Sequence, residues 1–244
     1  MTDTNYLNGK TALVTGGGRG IGAAIARRLA AHGATVLVHY GHSADAAETL
    51  AAEINGRAIM ADLAADDGPA KLAGQVEGGG LDVLVNNAGV YPAGPLAELD
   101  EQTIRDGYAI NVLAPLLVTK HLTPKLNDNG RLIFIGSCVG ERMPFPGGAV
   151  YAGTKGAIKM LSQGLSRELG GRGITVNNVE PGPIDTDMNP DSPDNPGQAM
   201  MKSMTPLGRY GKADEVAALV AFLASPDAAY ITGGNYLIDG GFNA

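Results

Sequence analysis

A tyrosine and a lysine four residues apart, Tyr151 and Lys155, are the residues of this sequence best suited to acid–base chemistry. The pattern predicts a helix from here through about Leu169, so both side chains should lie on one helix face. A tyrosine hydroxyl loses its proton near pH ~10, and a nearby ammonium lowers that pKa because it favours the phenolate. Such a phenol could exchange a proton with an alcohol or a carbonyl near neutral pH. Taken alone, the same spacing more often marks two ordinary exposed helix residues.

Ser137 and Asn111 are two further polar residues in positions suited to a site. Ser137 follows the apolar run 132–135, and the carboxyl end of a strand is where open α/β sheets bind ligands. Asn111 lies among apolar residues in a long helical stretch predicted from about residue 100 to 126. A buried amide must find partners, and here it could interrupt the helix to hold a water, which the nearby Pro115 favours.

The composition excludes several classes of function. A chain of 244 residues can bury one large core, so one domain covering residues 1–244 is expected. The formal net charge of -7 argues against nucleic acid or an anionic membrane as partner. The single cysteine, Cys138, excludes an intrachain disulfide, no apolar run could span a membrane, and no metal site is predicted. Residues 1–10 contain no apolar signal core, so a cytoplasmic location is expected.

A glycine-rich turn joins the first strand, residues 11–15, to an amphipathic helix. Gly16 permits a tight turn, Gly20 and the adjacent Ile21 bring main chain close to a pyrophosphate, and Gly22 permits close packing of the helix. The spacing is G-x-x-x-G-x-G, which differs from the G-x-G-x-x-G dinucleotide fingerprint. By itself, such a turn is nearly as typical of a plain structural connection.

The second strand, residues 35–38, ends without the acid that binds the ribose 2′-hydroxyl in NAD-preferring domains. His39, Tyr40 and Ser43 follow it instead. Together with Arg19 from the glycine turn, these residues could bind a 2′-phosphate, which an acid would repel. The sequence therefore predicts NADP(H) in preference to NAD(H), the alternative being a solvated arginine beside surface histidines.

Further candidate contacts to the cofactor lie beyond the third and fourth strands, residues 57–60 and 81–85. Asp62, beside Leu63, could bond an adenine amino group or merely cap a helix over residues 68–76. Small and amide residues after the fourth strand suit the floor beneath a ribose, although a turn needs the same types. These residues are Asn87, Ala88 and Gly89.

Strands and helices alternate along most of the chain, with later strands predicted at residues 131–135, 174–179 and 236–239. This order predicts an α/β fold: a single-domain Rossmann fold whose doubly wound parallel sheet has about seven strands with helices on both faces. Residues 185–212 break the alternation and are rich in Pro, Asp, Asn and Met. We interpret them as a substrate lid.

Taken together, these motifs resemble the short-chain dehydrogenase/reductase family over nearly the whole chain. The matching residues, in the family's order and spacing, are Thr15-Gly16-x-x-x-Gly20-x-Gly22, Asn86-Asn87-Ala88-Gly89, Asn111, Ser137, Tyr151-x-x-x-Lys155 and Pro181-Gly182. The resemblance implies that Tyr151 is the general acid, that Ser137 polarises a carbonyl, and that Lys155 holds the nicotinamide ribose and lowers the tyrosine pKa. It further implies a relay water at Asn111, cofactor contacts by Pro181, Gly182, Ile184 and Thr186, and a homotetramer.

Within the family, the chain is most similar to 3-oxoacyl-[acyl-carrier-protein] reductases and related carbonyl reductases. Arg172 matches a basic residue that this subgroup places beside the pocket, but Asp128 stands near where another is expected and would repel an acidic carrier protein. Glu180 replaces a small or neutral residue before Pro181-Gly182. It could bind a cationic substrate, pair with a basic neighbour, or point into solvent.

The function predicted on these grounds is an NADP(H)-dependent oxidoreductase that interconverts a small-molecule ketone and a secondary alcohol. An NAD-dependent alcohol dehydrogenase of the same fold is the nearest alternative. A cofactor-binding regulatory protein that lost the chemistry is a third, since a fold alone does not imply a function.

Overall fold

A computed structural model of the chain describes residues 5–78 and 80–244, and a parallel sheet forms its centre. The strands of this described part are β1 Thr11–Val14, β2 Thr35–Tyr40, β3 Arg57–Met60, β4 Leu81–Asn86, β5 Leu126–Ile135, β6 Thr175–Pro181, β7 Ile184–Asp185, β8 Gly211–Lys212 and β9 Asn235–Ile238. Seven of them form the sheet in the order β3-β2-β1-β4-β5-β6-β9, and β7 pairs separately with β8. The predicted seven-stranded, doubly wound sheet is confirmed.

Helices cover both faces of the sheet. The described helices are α1 Gly20–Ala31, α2 Ala44–Glu53, α3 Gly68–Gly74, α4 Glu101–Tyr108, α5 Ala114–Leu122, α6 Ala149–Leu169, α7 Gln198–Met204 and α8 Ala213–Ala224. The first, second and last of these helices contribute to one buried cluster, while α3, α5 and α6 contribute to the other. Among residues 5–78 and 80–244, no helix combines the length and the apolar character needed to cross a membrane.

The strands are apolar on both sides because each side faces a helix layer. In β1, Val14 belongs to the cluster under α1 and α8, whereas Leu13 belongs to the opposite cluster. Both side chains are fully buried, and each such burial contributes about 1.5–3 kcal/mol. This packing fixes the carboxyl edge of the sheet, where the candidate residues lie.

The helix predicted from residue 100 to 126 is interrupted in the structure. A π-helical turn, Ala109–Leu113, separates α4 from α5, and a 3-10 turn follows at Thr123–Lys125. The predicted irregularity at Asn111 is confirmed, and it divides the predicted helical stretch into α4 and α5. Leu113 is exposed, as the apolar surface of an assembly would be, and the homotetramer stays a prediction.

The segment predicted as a lid carries its own internal hydrogen bonds. Asp191 accepts a hydrogen bond from Gln198 and forms an ion pair with Lys202 at 2.7 Å, which ties the loop to α7. The Asp185 carboxylate in turn accepts from the Asp191 main chain at 2.9 Å. This segment is therefore folded onto itself between β7 and β8, and its function as a lid stays a prediction.

Candidate active site

Helix α6 places Tyr151 and Lys155 on the face that meets the end of β5. The Lys155 side chain is buried, and its Nζ donates a hydrogen bond to the Ile135 carbonyl at 2.8 Å. The same Nζ lies 5.6 Å from the centroid of the Tyr151 ring. A buried ammonium must be hydrogen-bonded, so the lysine fastens the helix to the strand that precedes Ser137.

Ser137 completes the group at the carboxyl end of β5. Its hydroxyl accepts from the Val139 main chain at 3.4 Å, and it lies close enough to the Tyr151 phenol to act on the pKa of that group. The serine and the tyrosine predicted from the sequence therefore meet, with Lys155 beside them. A carbonyl oxygen placed between the two hydroxyls would receive both donors.

Burial controls the pKa values of Tyr151 and Lys155. Loss of water raises the pKa of Tyr151 above its usual range, with the hydrogen bond to Ser137 acting in the opposite direction. The same loss of water lowers the pKa of Lys155 to about 8. The expectation that the lysine produces a net lowering of the tyrosine pKa is therefore wrong for this arrangement, because desolvation of the phenolate dominates.

Asn111 fixes the loop that forms the neighbouring wall. Its Oδ1 accepts from the Val90 main-chain N–H at 2.9 Å, and its Nδ2 donates to the Val90 carbonyl at 2.9 Å and to Thr154 Oγ1 at 3.1 Å. Tyr91, which follows Val90 in the chain, packs its ring edge-on against the Tyr151 ring, with the two ring centroids 4.8 Å apart. Both ends of the amide are engaged by protein groups, so the relay water at Asn111 stays a prediction.

The glycine turn has the geometry that a pyrophosphate requires. Gly16 and Gly20 have φ of +60° and +54°, and a Cβ on Gly22 would lie 2.3 Å from the Gly16 carbonyl oxygen. Helix α1 begins without a side-chain cap on Arg19 and without an acid in its first turn. Its first N–H groups are therefore available to an anion. Thr186 Cγ2 would lie 3.5 Å from a Cβ on Gly20, so that residue borders the turn.

Thr15 is a structural residue of the site that was absent from the predicted contacts. Its buried Oγ1 accepts from the main-chain N–H groups of Asn87 and Ala88, at 2.9 Å and 3.0 Å. The Asn87 amide donates to the carbonyls of Thr15 and Gly16 at 2.9 Å and 3.1 Å. The Asn87 side chain therefore joins β4 to the glycine turn. The sequence contained one sign of this structural role: Thr15 is a hydroxyl residue at the end of a strand, directly before a glycine turn.

Thr15→Val is expected to destabilise the protein by about 1–3 kcal/mol, because two N–H groups lose their acceptor without a gain in volume. Urea unfolding of this variant measures the loss. The control is Thr15→Ser, which keeps the hydroxyl and should lie much closer to the unmutated protein. Equal stability of the two variants would contradict a structural role for the hydroxyl.

The structure corrects the predicted role of His39 as a contact to the 2′-phosphate. Its side chain is 2% exposed, Nδ1 accepts from the Gly16 N–H at 3.1 Å, and Nε2 lies 2.9 Å from the Ala61 carbonyl, to which it donates. Burial lowers the pKa of His39, so the ring is neutral with both nitrogens in use. It therefore supports the glycine turn and has no donor left for a 2′-phosphate.

The other candidates for the 2′-phosphate remain accessible. Arg19 is exposed and has no ion pair or hydrogen bond through its guanidinium in the described part of the chain. Ser43 precedes α2 without capping it, and Tyr40 is half-buried at the end of β2. A Cβ on Gly18 would lie 3.3 Å from Ala47, which places the turn against the start of α2.

Asp62 does not cap α3. Its carboxylate accepts from the Ala64 N–H at 2.9 Å, and the helix begins at Gly68 after Asp67. The capping alternative was therefore wrong, and a contact with adenine stays a prediction. Leu63 is buried beside it, and its contact with a cofactor stays a prediction.

The turn after β6 is held tightly against the end of the chain. A Cβ on Gly182 would lie 2.6 Å from the Asp239 Cα, so this position requires glycine. Pro181 and Ile184 are buried, and a contact of either with a cofactor stays a prediction. Gly89 approaches the site from the other side, where a Cβ would lie 3.2 Å from Asn111 Oδ1.

Two charged residues differ from their expected surroundings. Asp128 lies near the amino end of β5, far along the strand from Ser137, and it accepts from Arg172 Nε at 2.9 Å. The Asp128 side chain remains exposed in this ion pair, and its repulsion of an acidic carrier protein stays a prediction. Glu180 is 1% exposed, which excludes the orientation into solvent.

Comparisons with known proteins cover the chain from end to end. A family model described as enoyl-(acyl carrier protein) reductase matches residues 16–243. The cyclic-di-GMP-binding biofilm dispersal mediator protein of Escherichia coli (strain K12) is 43% identical over 238 residues, which are 98% of this chain and 99% of that protein.

Solved structures give the same result. A blue fluorescent protein from a metagenomic library in complex with NADPH has a TM-score of 0.94 at 44% identity, covering 98% of this chain and 100% of that chain. A short chain dehydrogenase from Burkholderia cenocepacia J2315 in complex with NADP has a TM-score of 0.93 at 46% identity, with 98% and 100% covered. The fold is therefore shared over its full extent.

Proposed function

The chain belongs to the short-chain dehydrogenase/reductase family, and on that premise we propose that it is an NADP(H)-dependent oxidoreductase that interconverts a ketone and a secondary alcohol. The observation that carries the proposal is the meeting of Ser137, Tyr151 and Lys155 at the carboxyl edge of the sheet. Two hydroxyl groups with a cation behind them suit the oxygen of a carbonyl that becomes an alkoxide.

Ser137, Tyr151 and Lys155 have different roles in the proposed reaction. The nicotinamide, when bound, supplies or accepts the hydride. Ser137 donates a hydrogen bond to the substrate oxygen and orients it. Tyr151 gives its proton to the oxygen as negative charge develops there, and the Lys155 ammonium then stabilises the phenolate left behind. In the oxidative direction the same groups act in reverse.

The residues around the turn could hold the cofactor. The uncapped N-terminus of α1 would bind the pyrophosphate, and Asn87–Gly89 with the turn at Gly182 would border the ribose and nicotinamide. Complexes of NADPH or NADP with two neighbours of the same fold support this choice. For the 2′-phosphate, the exposed Arg19 supplies the charge, although the exposed Asp45 in the first turn of α2 would oppose it.

Arg19→Ala is expected to raise KM for NADPH about tenfold or more while changing KM for NADH little, because charge-assisted hydrogen bonds are worth about 1.5–3 kcal/mol each. Steady-state kinetics with both cofactors measure the difference, and added salt should weaken NADPH binding selectively. Arg167→Ala, which removes an exposed arginine from the far end of α6, is the matched control. Equal or better efficiency of the unmutated protein with NADH would reject the NADP assignment in favour of the NAD-dependent dehydrogenase.

A regulatory role is the second candidate, and the E. coli relative, whose name describes binding of cyclic-di-GMP, supports its consideration. The two candidates are separated by one experiment. A panel of ketones is tested for NADPH and NADH oxidation, with calorimetric titration of cyclic-di-GMP in parallel. Turnover of any ketone supports the oxidoreductase. Binding of the dinucleotide without turnover would replace it with the regulatory function.

A further inference from the structure

A second polar cluster lies beneath α6, behind the proposed catalytic residues. Asn178 and Glu180 of β6 are both buried, and alternate residues of this strand face α6, as Val176 does. Asn178 Nδ2 donates to Glu180 Oε1 at 2.8 Å and to Asn235 Oδ1 of β9 at 2.9 Å. A Cβ on Gly136 would lie 2.6 Å from Asn178 Oδ1, so this amide packs on the residue that directly precedes Ser137.

The second carboxylate oxygen of Glu180, Oε2, is the unusual group of this cluster. In the described part of the chain, Glu180 Oε2 is buried and receives no hydrogen bond from a protein donor. Another carboxyl group, that of Glu141, lies close enough to Glu180 to act on its pKa. Glu141 already forms a half-buried ion pair with Lys159, which follows Lys155 by one helical turn.

The charges in this cluster do not balance without a proton. Two carboxylates face one ammonium, and a buried carboxylate oxygen without a donor is destabilising. One shared proton removes both difficulties, because a protonated Glu180 can donate from Oε2 to Glu141 while Oε1 still accepts from Asn178. The charged and titratable groups beside Glu180 are Glu141 and Cys138 after β5 and Lys159 on α6, and Asp239 after β9 lies near Cys138.

We propose that Glu180 and Glu141 share one proton in weakly acidic solution and release it near neutral pH, and that this carboxyl–carboxylate bond, anchored by Lys159, is a positioning unit that holds Ser137 for the reaction. Glu141 ends the short segment that begins at Ser137, and Glu180 lies directly before the Pro181-Gly182 turn. The bond therefore joins the serine segment to the strand end that borders the nicotinamide side of the site. Its kinetic consequence rests on the proposed function.

The proton affinity of Glu180 agrees with this geometry. Burial and the neighbouring Glu141 raise the pKa of Glu180 to about 7, against the opposing effect of Lys159. The folded protein therefore retains a proton that the unfolded chain releases near pH 4.5. Stability from this group is present below that pH and is lost as the pH rises to about 7, above which no further loss occurs.

Glu180→Gln tests the proposal, because the amide keeps one acceptor for Asn178 and one donor for Glu141 and cannot ionise. Its Tm should exceed that of the unmutated protein by an amount that grows between about pH 4.5 and pH 7 and then stays constant. In kcat/KM, the ratio of variant to unmutated protein should rise by up to roughly tenfold from about pH 6 to pH 8. Glu168→Gln, at an exposed position of α6, is the control and should show neither trend.

Two further variants have opposite expected signs. Lys159→Met removes the cation and should shift the midpoint of the pH transition upward, whereas Glu141→Gln removes the like charge and should shift it downward. Infrared difference spectra supply a readout that needs no turnover. A protonated carboxyl band is expected at about pH 6 and should disappear as the pH is raised. The same band should be missing from the spectra of Glu180→Gln.

A Tm difference independent of pH, midpoints that do not move in these two variants, or no protonated carboxyl band in the unmutated protein would each overturn the shared proton. A shared proton with a kcat/KM ratio that is flat with pH would overturn the positioning role. Failure of every ketone to react would instead reject the proposed function, and the thermal and infrared results would still decide whether the proton is shared.

Discussion

Replacing Tyr151 by phenylalanine is expected to lower kcat by about 10²–10⁴-fold while leaving NADPH affinity within about twofold. The phenol is the proposed proton donor, and it lies beside Ser137, where the substrate oxygen would be placed. The ring keeps its edge-on contact with Tyr91, so the variant should fold normally. Single-turnover kinetics and fluorescence titration of NADPH measure the two quantities separately.

Tyr91→Phe is the matched control for this variant, because it removes the equivalent hydroxyl from the neighbouring ring. The centroid of that ring lies 4.8 Å from the centroid of the Tyr151 ring. Its kcat should remain within a few-fold of the unmutated value, because no proton transfer is assigned to Tyr91. Retention of more than about a hundredth of kcat by Tyr151→Phe would contradict the general-acid role.

Lys155→Met is expected to lower kcat/KM by about 10²–10³-fold, the usual effect of deleting a donor that stabilises charge in the transition state. The ammonium lies 5.6 Å from the tyrosine ring and is held by the Ile135 carbonyl. Without it, the phenolate formed in ketone reduction has no cation behind it. Kinetics of ketone reduction at saturating NADPH measure the change.

The pH dependence of the same residue provides the check. The pKa of Lys155 is about 8, so the reduction rate of the unmutated protein should fall as the pH rises through that value and the ammonium loses its proton. Lys155→Arg keeps its charge throughout this range, so any remaining activity should lack this decline. A decline that persists unchanged in the arginine variant would assign it to another group.

The sheet and the catalytic group were accessible from the sequence for a physical reason. Strands covered by helices on both sides are continuous apolar runs, and β4 has this pattern. The candidate residues follow such strands directly or share one helix face, as Tyr151 and Lys155 do. Local spacing therefore sufficed to bring them together.

The side-chain contacts that sequence reasoning could not supply lie between distant parts of the chain. Asn111 lies 21 positions from Val90, the partner that its side chain holds, and His39 lies 22 positions from Ala61. Glu180 was left with three alternatives because Glu141 and Lys159 become its neighbours only after β5, α6 and β6 have packed. No local pattern distinguishes a histidine that faces solvent from one that bridges two main-chain groups.

The bridge made by His39 also determines where cofactor preference can be redesigned. An engineer converting the protein to NADH would first place an acid at the end of β2, the position that carries one in NAD-preferring domains. Position 39 is closed to that change, because a carboxylate there would be buried and could not donate to the Ala61 carbonyl. The redesign has to begin at Tyr40 or Gly41, where the chain leaves the sheet and is partly exposed, so that the bridge from His39 to the glycine turn stays intact.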